Sequence, residues 1–274
     1  MLDSLRLLGG KVFKRIADLL MKEQYDWAIF KESCLAKKYT ISESKDFVKI
    51  GIENNIEIKL RKRSSDIDVF GQIFLSGEYK IVAGLAVLNN IEVKNIVDCG
   101  ANIGLASVYF NSFFPDATII SVEPDEENFK MLQHNAVGIK NSKTLKQAIW
   151  FEKTELASGR KFRDKRDWSV TVEEITDETD KEHAIKGITL NEIYSDFNLE
   201  YIDILKIDIE GAERHIFLNP DNCEFLKRTK IIALEIHDEF DIRNQINQLL
   251  SSFGFYIFES NETTIGVNLN TLVV

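Results

Sequence analysis

The chain has 274 residues, with 34 lysine and arginine side chains against 44 aspartate and glutamate side chains, and a formal net charge of -10. A composition of 44% hydrophobic and 10% aromatic residues is typical of a globular protein rather than of a disordered chain. A surface with this much negative charge would repel nucleic-acid phosphates, so nucleic-acid binding is disfavoured.

Three widely separated cysteines form neither a metal-binding pair nor a disulfide framework, which favours a reducing compartment. No apolar run approaches the roughly 18 to 20 residues of a membrane-spanning helix, so we expect a soluble, cytoplasmic protein without an integral membrane segment.

Apolar residues between Leu5 and Leu20 recur at helical spacing with basic residues among them. This amphipathic helix is expected to pack on its own protein, and contact with a membrane surface or a second copy of the chain stays open.

The first third of the chain predicts an extension that precedes the main fold. Residues up to about Ala36 have a helical pattern, Phe47 to Ile50 and Ile56 to Arg61 alternate like half-buried strands, and Asp66 to Leu88 is helical again. We expect residues 1–90 to form a helical and β extension that packs on or caps the core, and residues 91–274 to form the main domain.

From Asn95 onward, short β-rich runs alternate with helical stretches. The alternation predicts an α/β fold, and the continuous apolar character of the runs is typical of parallel strands covered by helices on both faces. The predicted strands are Ile96 to Val97, Thr118 to Val122, Thr144 to Trp150, Ile202 to Ile207, Ile231 to Ile236 and Phe255 to Glu259. Between Phe151 and Ile188 the pattern weakens and charges crowd in, which indicates an excursion from the sheet.

The first predicted strand runs into the sequence IVDCGANIG, where a cofactor is expected to bind. Gly100 lets the backbone turn close to a ligand, and the helix predicted from Ile103 to Phe114 follows it. The middle glycine of a dinucleotide G-x-G-x-x-G motif is absent, so a pyrophosphate is disfavoured. The helix N-terminus can still receive a smaller anion, such as the amino-acid carboxylate of S-adenosylmethionine.

The second predicted strand, ATIISVEP, ends in Glu123 and Pro124. An acid at this position commonly accepts hydrogen bonds from both hydroxyl groups of an adenosine ribose. A glycine turn or a terminal acid alone would be weak evidence. The ordered combination of the turn, a helix, a strand and the acid is much more specific.

On these motifs the sequence resembles the FkbM-type S-adenosylmethionine-dependent methyltransferases. The segment LRKRSSDIDVFGQIFLSGEY upstream, and DILKIDIEGAE and IIALEIHDE downstream, are similar to segments of that family, and the resemblance covers about Ile50 to Phe258. It implies a doubly wound, mostly parallel, seven-strand Rossmann-like sheet in residues 91–274. It also implies methyl transfer to a hydroxyl group, often of a sugar, a glycolipid or a polyketide-derived molecule.

The resemblance also implies which residues bind the cofactor. The methionine end is expected near the glycine turn, the ribose at Glu123 and the adenine near Ala148. The expected cofactor-binding residues are Asp98, Gly100, Ala101, Asn102, Gly104, Glu123, Pro124, Ala148 and Asp208.

Methyl transfer to an alcohol needs alignment of the oxygen and either a general base or a cation that stabilises the developing alkoxide. His237, Asp208 and Glu210 are the catalytic candidates, with His237 as the base because its ordinary pKa is near neutrality. Asp208, Glu235 and His237 could alternatively bind a divalent metal. His237 could also be a merely hydrogen-bonded histidine, and Lys206 is either an ion-pair partner of Glu235 or a catalyst.

Some predictions stay broader. The basic cluster from Arg160 to Arg166 is a candidate to receive an anionic group of the acceptor, and Arg61 to Asp66 is a candidate to cap the pocket. The favoured function is O-methylation of a sugar, glycan or glycolipid-type acceptor. A nicotinamide-dependent oxidoreductase and a non-catalytic cofactor-binding module are the alternatives.

Overall fold

The computed structural model describes residues 26–52, 56–161, 170–174 and 184–272. The predictions for the apolar stripe from Leu5 to Leu20 and for oligomerisation through it fall outside these residues. Most of the basic cluster from Arg160 to Arg166 also falls outside them. Within the described part of the chain, no helix combines the length and the apolar character that crossing a membrane requires.

In the described part of the extension, helix α1 spans residues 26–36. Three antiparallel strands follow it in the order β1 (Thr40–Glu43), β2 (Phe47–Gly51) and β3 (Glu57–Arg61). Alternate residues of β2 and β3 are buried, as the period-two pattern predicts.

The helix predicted from Asp66 to Leu88 is present, but it is divided. Helix α2 (Asp66–Phe70) continues as a π-helical turn over Gly71–Ser76, and α3 spans Lys80–Leu88. Gly77 lies between them with a φ of 76°, a left-handed conformation that glycine adopts without steric cost and that ends the first helix.

The main domain is built on a seven-stranded sheet, which confirms the predicted fold class. Two of its α/β units are β4 (Asn95–Cys99), α4 (Leu105–Phe113), β5 (Thr118–Val122), α5 (Glu126–Asn135) and β6 (Ser142–Leu145). The remaining elements are α6 (Leu190–Asp196), β11 (Ile202–Ile207), α7 (Glu213–Phe217), β12 (Thr229–Glu235), α8 (Arg243–Ser252), β13 (Phe255–Ser260) and β14 (Thr263–Asn268).

The strand order across this sheet is β13-β14-β12-β11-β4-β5-β6. Strands β12, β11, β4, β5 and β6 are parallel, whereas β14 is antiparallel to both of its neighbours. All six residues of β11 are buried, and its two charged residues are paired: Asp203 with Lys230, and Lys206 with Asp98. The sequence analysis missed β14 because its run TTIGVN is polar at the start and contains a glycine.

The predicted strand from Thr144 to Trp150 is wrong as a single element. Strand β6 ends at Leu145, and after two residues the short strand β7 (Ala148–Ile149) pairs with β10 (Ile185–Ile188) in a second sheet. This sheet has the order β7-β10-β8-β9 and includes β8 (Glu155–Lys161) and β9 (Val170–Glu174). The predicted excursion from the main sheet is therefore a small β-sheet of its own.

The extension and the main domain share one hydrophobic core. Val48, Ile58 and Phe70 from the extension belong to the same buried cluster as Ile96 and Ile119 of the central sheet. This continuity supports an extension that packs on the core. The domain boundary after residue 90 stays a prediction.

A buried ion pair reinforces the junction between the extension and α5. Asp66 is 1% exposed and accepts hydrogen bonds from the backbone N, Nε and Nη2 of Arg61 at 2.8 to 2.9 Å. Arg61 Nη2 also donates to Asn128 Oδ1 of α5 at 2.8 Å. The segment that was a candidate to cap the pocket thus ties strand β3 to the main domain.

This ion pair generates a stability prediction. The substitution Asp66→Asn should lower the free energy of unfolding by about 2 to 4 kcal/mol, because it leaves the Arg61 guanidinium without its buried counter-charge. Urea denaturation measures the change. As a control, Glu57→Gln removes a carboxylate from a half-exposed pair with Lys49 and should cost less than about 1 kcal/mol. Equal losses in the two variants would contradict the prediction.

Candidate functional site

The glycine bend, residues 100–104, connects the end of β4 to the start of α4. The backbone N atoms of Gly100 and Ala101 both donate to the Val122 carbonyl oxygen, at 3.0 and 2.9 Å, which ties the bend to β5. Gly100 has a φ of 71°, and a Cβ at this position would overlap the Asp208 carbonyl oxygen. Only glycine fits here, because the bend passes directly against the loop that follows β11.

Lys206 connects the carboxyl ends of strands β4 and β11. Its Nζ donates to the Gly100 carbonyl oxygen at 2.7 Å and lies 3.3 Å from Asp98 Oδ1 and 3.6 Å from Asp208 Oδ2. Burial lowers the pKa of Lys206, but Asp98 and Asp208 outweigh this effect and hold the pKa well above its usual value. The expected pairing of Lys206 with Glu235 is wrong, because the carboxylates of Asp98 and Asp208 are its partners.

Glu123 faces the glycine bend from the end of β5. Its Oε2 accepts a hydrogen bond from the Asn102 backbone N at 2.7 Å, and its Oε1 accepts one from the Asp125 N at 2.9 Å. Burial raises the pKa of Glu123 to about 7, although these two amides oppose the shift. The carboxyl group is therefore positioned by the backbone, as a ribose-binding acid requires.

A cavity of about 410 Å³ is lined by both the bend and Glu123. It brings together most of the residues that the sequence singled out. Those that line it are Gly100, Ala101, Asn102, Glu123, Pro124, Ala148, Asp208, Glu210 and Glu235. Three other predicted residues are not part of the lining: Asp98, Gly104 and His237.

Asp98 and Gly104 support the cavity from behind instead of lining it. Asp98 is fully buried, and its Oδ2 accepts a hydrogen bond from Ser107 Oγ at 2.6 Å. Gly104 precedes α4 with a φ of 86°, and a Cβ there would lie 2.7 Å from a Leu132 methyl group. Their contact with the cofactor stays a prediction.

The lining suits an amino acid joined to a nucleoside. The side-chain Oδ1 of Asn102 is buried and has no hydrogen-bond partner among the described residues, so it is available to a ligand. The bend places this oxygen opposite a carboxyl group that can accept hydrogen bonds from hydroxyl groups. These features fit the methionine and ribose parts of S-adenosylmethionine.

The acceptor wall is the acidic side of the same cavity. It consists of Glu78, Asp208, Glu210, Glu235 and Glu262. Repulsion by Asp208, together with burial, raises the pKa of Glu235 to about 9. Burial, and to a smaller extent repulsion by Asp208, also raises the pKa of Glu78. Lys206 is the one basic side chain among the described residues that line the cavity.

His237 lies behind the acceptor wall and is 1% exposed. Its Nδ1 is 3.1 Å from Glu213 Oε1, and its Nε2 is 3.4 Å from Glu210 Oε2 and 4.0 Å from Glu235 Oε1. Burial lowers the pKa of His237, but the hydrogen bonds with Glu210 and Glu213 outweigh it and raise the pKa to about 11. The imidazole is thus held between carboxylates and does not line the cavity, and its role as the general base stays a prediction.

Sequence reasoning missed two carboxylates of the acceptor wall. Glu78 comes from the extension, immediately after Gly77, and Glu262 lies in the turn between β13 and β14. Glu78 is part of the LSGEY sequence that carried the resemblance, which is a weak signal. No local pattern marks Glu262, because it reaches the cavity only through the antiparallel return of β14 beside β12.

Residues 98–257 match the family model described as "Methyltransferase FkbM domain". The chain belongs to the FkbM methyltransferase family. This membership confirms the resemblance that the motifs suggested and makes the chain an S-adenosylmethionine-dependent methyltransferase. The nicotinamide-dependent and non-catalytic alternatives lose their support.

Two similar curated proteins are named as methyltransferases. The "Methyltransferase sdnD" of Sordaria araneosa is 28% identical over 197 residues, which cover 59% of this chain and 73% of the relative. The "31-O-demethyl-FK506 methyltransferase FkbM" of Streptomyces tacrolimicus is 22% identical over 189 residues, with coverage of 59% and 72%.

Solved structures of methyltransferases are also similar. A methyltransferase from Geobacter sulfurreducens is 16% identical, with a TM-score of 0.40 and coverage of 69% of this chain and 78% of that chain. The fibrillarin of Aeropyrum pernix, in complex with natively bound S-adenosyl-L-methionine, is 12% identical. Its TM-score is 0.38, with coverage of 83% of this chain and 96% of that chain.

The steric requirement at the glycine bend is testable. The substitution Gly100→Ala should lower the free energy of unfolding by at least about 2 kcal/mol, because it adds a left-handed alanine and a clash with Asp208. Gly84→Ala is the matched control, since a Cβ on Gly84 in α3 meets open space. We expect the control to be as stable as the wild type or slightly more stable in urea denaturation. A Gly100→Ala protein of wild-type stability would show that the bend tolerates a side chain.

Proposed function

We propose that the FkbM-family protein transfers the methyl group of S-adenosylmethionine to a hydroxyl group of a sugar, glycan or glycolipid-type acceptor. The observation that carries the cofactor part of this proposal is the Glu123 carboxyl group, which is hydrogen-bonded to the glycine bend and lines the same cavity. The acceptor part rests on the five carboxylates of the acceptor wall.

Each part of the cavity receives one part of the cofactor in this proposal. The glycine bend and the free Oδ1 of Asn102 bind the methionine portion, and Glu123 binds the two ribose hydroxyl groups. Pro124, Ala148 and Ile149 provide the apolar surface next to the adenine. When bound, S-adenosylmethionine supplies a sulfonium methyl group that is open to in-line attack.

The acceptor wall suits a polyhydroxyl acceptor. A carboxylate accepts hydrogen bonds from hydroxyl groups, and a carboxyl group that keeps its proton also donates one, so several acids around one cavity can orient a sugar. The curated relative from Streptomyces tacrolimicus carries O-methylation in its printed name, which supports an oxygen acceptor. Orientation of the attacking oxygen along the sulfur–methyl axis is the main contribution of the wall.

Proton removal is assigned to a carboxylate that reaches the cavity, Asp208 or Glu210. Both residues follow β11 and line the cavity, whereas His237 is not among the lining residues. This carboxylate would accept a hydrogen bond from the acceptor hydroxyl group and take its proton, while the bound cofactor would supply the methyl group. His237 then acts as a positioning residue, since its Nε2 lies against Glu210.

The decisive experiment separates cofactor binding from methyl transfer. Calorimetric titration of the full chain with S-adenosylhomocysteine should give saturable 1:1 binding, and NADH should give none. Transfer of a labelled methyl group is then measured with a panel of free sugars, nucleotide sugars and glycans. Cofactor binding with transfer only to amines or carboxylic acids would reject the hydroxyl acceptor.

The pKa of Glu123 generates a pH prediction. The ionised carboxylate accepts the ribose hydroxyl groups, so affinity for S-adenosylhomocysteine should rise about tenfold between pH 6 and pH 8 as a group with a pKa of about 7 loses its proton. Titrations at several pH values measure the rise. In Glu123→Gln, affinity should be lower and this rise should be lost, while any contribution from the ligand amine remains in both proteins. The same pH dependence in the variant would exclude Glu123 as its source.

A further inference from the structure

We propose that the acceptor wall binds a divalent transition-metal ion through Asp208, Glu235 and His237, which leaves Glu210 as the carboxylate that takes the hydroxyl proton. This inference deepens the proposed function, since the ion would lie where the acceptor hydroxyl approaches the cofactor. One ligand atom each from Asp208, Glu235 and His237 lies within 4.8 Å of the other two. The three side chains come from the ends of the adjacent parallel strands β11 and β12, so the sheet itself holds them together.

The orientation of His237 points to a ligand. Glu213 is fully buried, and because a carboxylate only accepts hydrogen bonds, its contact with Nδ1 places the hydrogen on that ring atom. The Ile209 backbone N donates to the same Glu213 oxygen at 3.2 Å and fixes it in turn. The other ring nitrogen, Nε2, lies 3.4 Å from Glu210 Oε2 and 4.0 Å from Glu235 Oε1, and a metal ion would replace the proton that Nε2 shares with Glu210. Metal-binding histidines have this arrangement, with a buried carboxylate on the ring nitrogen that faces away from the ion.

The charges of the wall favour a cation at the same place. Five carboxylates line this side of the cavity, and the nearest lysine, Lys206, already lies within 3.6 Å of both Asp98 and Asp208. Side-chain exposure of Asp208, Glu210 and Glu235 is 30%, 16% and 24%, so water screens their repulsion only in part. A divalent ion between them would supply the missing positive charge.

The donor set also selects the kind of ion. Carboxylate oxygens alone would suit Ca²⁺ or Mg²⁺, whereas an added imidazole nitrogen favours Mn²⁺, Fe²⁺ or Zn²⁺. A cation at this point would stabilise negative charge on the attacking oxygen. For an alcohol acceptor, such a cation is the alternative to a general base. His237 would serve this chemistry as a ligand, which agrees with its burial behind the wall.

Binding of Mn²⁺ to the full chain tests the inference without using activity. The protein is stripped with a chelator, dialysed and titrated with Mn²⁺, and the loss of the free-ion signal in electron paramagnetic resonance measures binding. We expect one bound Mn²⁺ per chain. The substitution Glu235→Gln should weaken binding at least about tenfold, since it removes a ligand.

Glu262→Gln is the matched control, because it removes the same charge from the same cavity without touching a proposed ligand. Its Mn²⁺ affinity should remain close to that of the wild type. Equal weakening by Glu262→Gln and Glu235→Gln would mean that the ion only screens an acidic surface, and this would overturn the site. Absence of saturable binding at millimolar Mn²⁺ would overturn it as well.

Glu213→Gln tests the orienting carboxylate separately. It should weaken Mn²⁺ binding about 10- to 100-fold while Asp208, Glu210 and Glu235 are all retained. Unchanged Mn²⁺ affinity in a folded Glu213→Gln protein would remove the argument from His237 orientation and overturn the imidazole ligand. If this variant does not fold, the comparison of Glu235→Gln with Glu262→Gln still decides the question.

A titration of the stripped wild-type protein with S-adenosylhomocysteine separates the two proposals. Binding of S-adenosylhomocysteine without binding of Mn²⁺ would overturn the metal site and leave the methyltransferase proposal intact. Failure to bind S-adenosylhomocysteine in the presence of saturating Mn²⁺ would reject the proposed cofactor site whatever the metal does.

Discussion

The site depends on one buried cation, Lys206, at the carboxyl end of β11. Its Nζ joins the carbonyl of Gly100 to the carboxylates of Asp98 and Asp208, so the ends of two parallel strands share a single charge. A buried lysine is tolerated only when it is paired, and here the pairing also sets the shape of the glycine bend. The cofactor cavity and the acidic loop after β11 are therefore parts of one electrostatic arrangement.

The acceptor wall shows how the fold assembles chemistry from distant parts of the chain. Glu78 belongs to the extension, Asp208 and Glu210 follow β11, and Glu235 and Glu262 come from β12 and the β13–β14 turn. The parallel strands β11 and β12 bring Asp208, Glu210 and Glu235 together at one sheet edge. The extension is consequently part of the site, because Gly77 turns the chain and Glu78 then lines the cavity.

The cofactor half of the site was largely predictable, whereas the acceptor half was not. Gly100, Asn102 and Glu123 occur in local motifs whose backbone geometry follows from the strand–turn–helix pattern. The alternation of Glu235 and His237 also predicted correctly that both would lie near the end of β12. It could not predict that Glu213, 24 positions earlier, would bury the imidazole and draw its ring away from the cavity lining.

By itself, the sequence determined the fold class, the cofactor-binding bend and the family, because these depend on short-range patterns of glycine, buried strands and a terminal acid. Only the tertiary structure decided the partners of Lys206, the burial of His237 and the place of Glu78 and Glu262 in the cavity. These outcomes depend on which charges become neighbours after folding. Coulomb interactions and desolvation act through space, and the spacing of residues along the chain does not encode those distances.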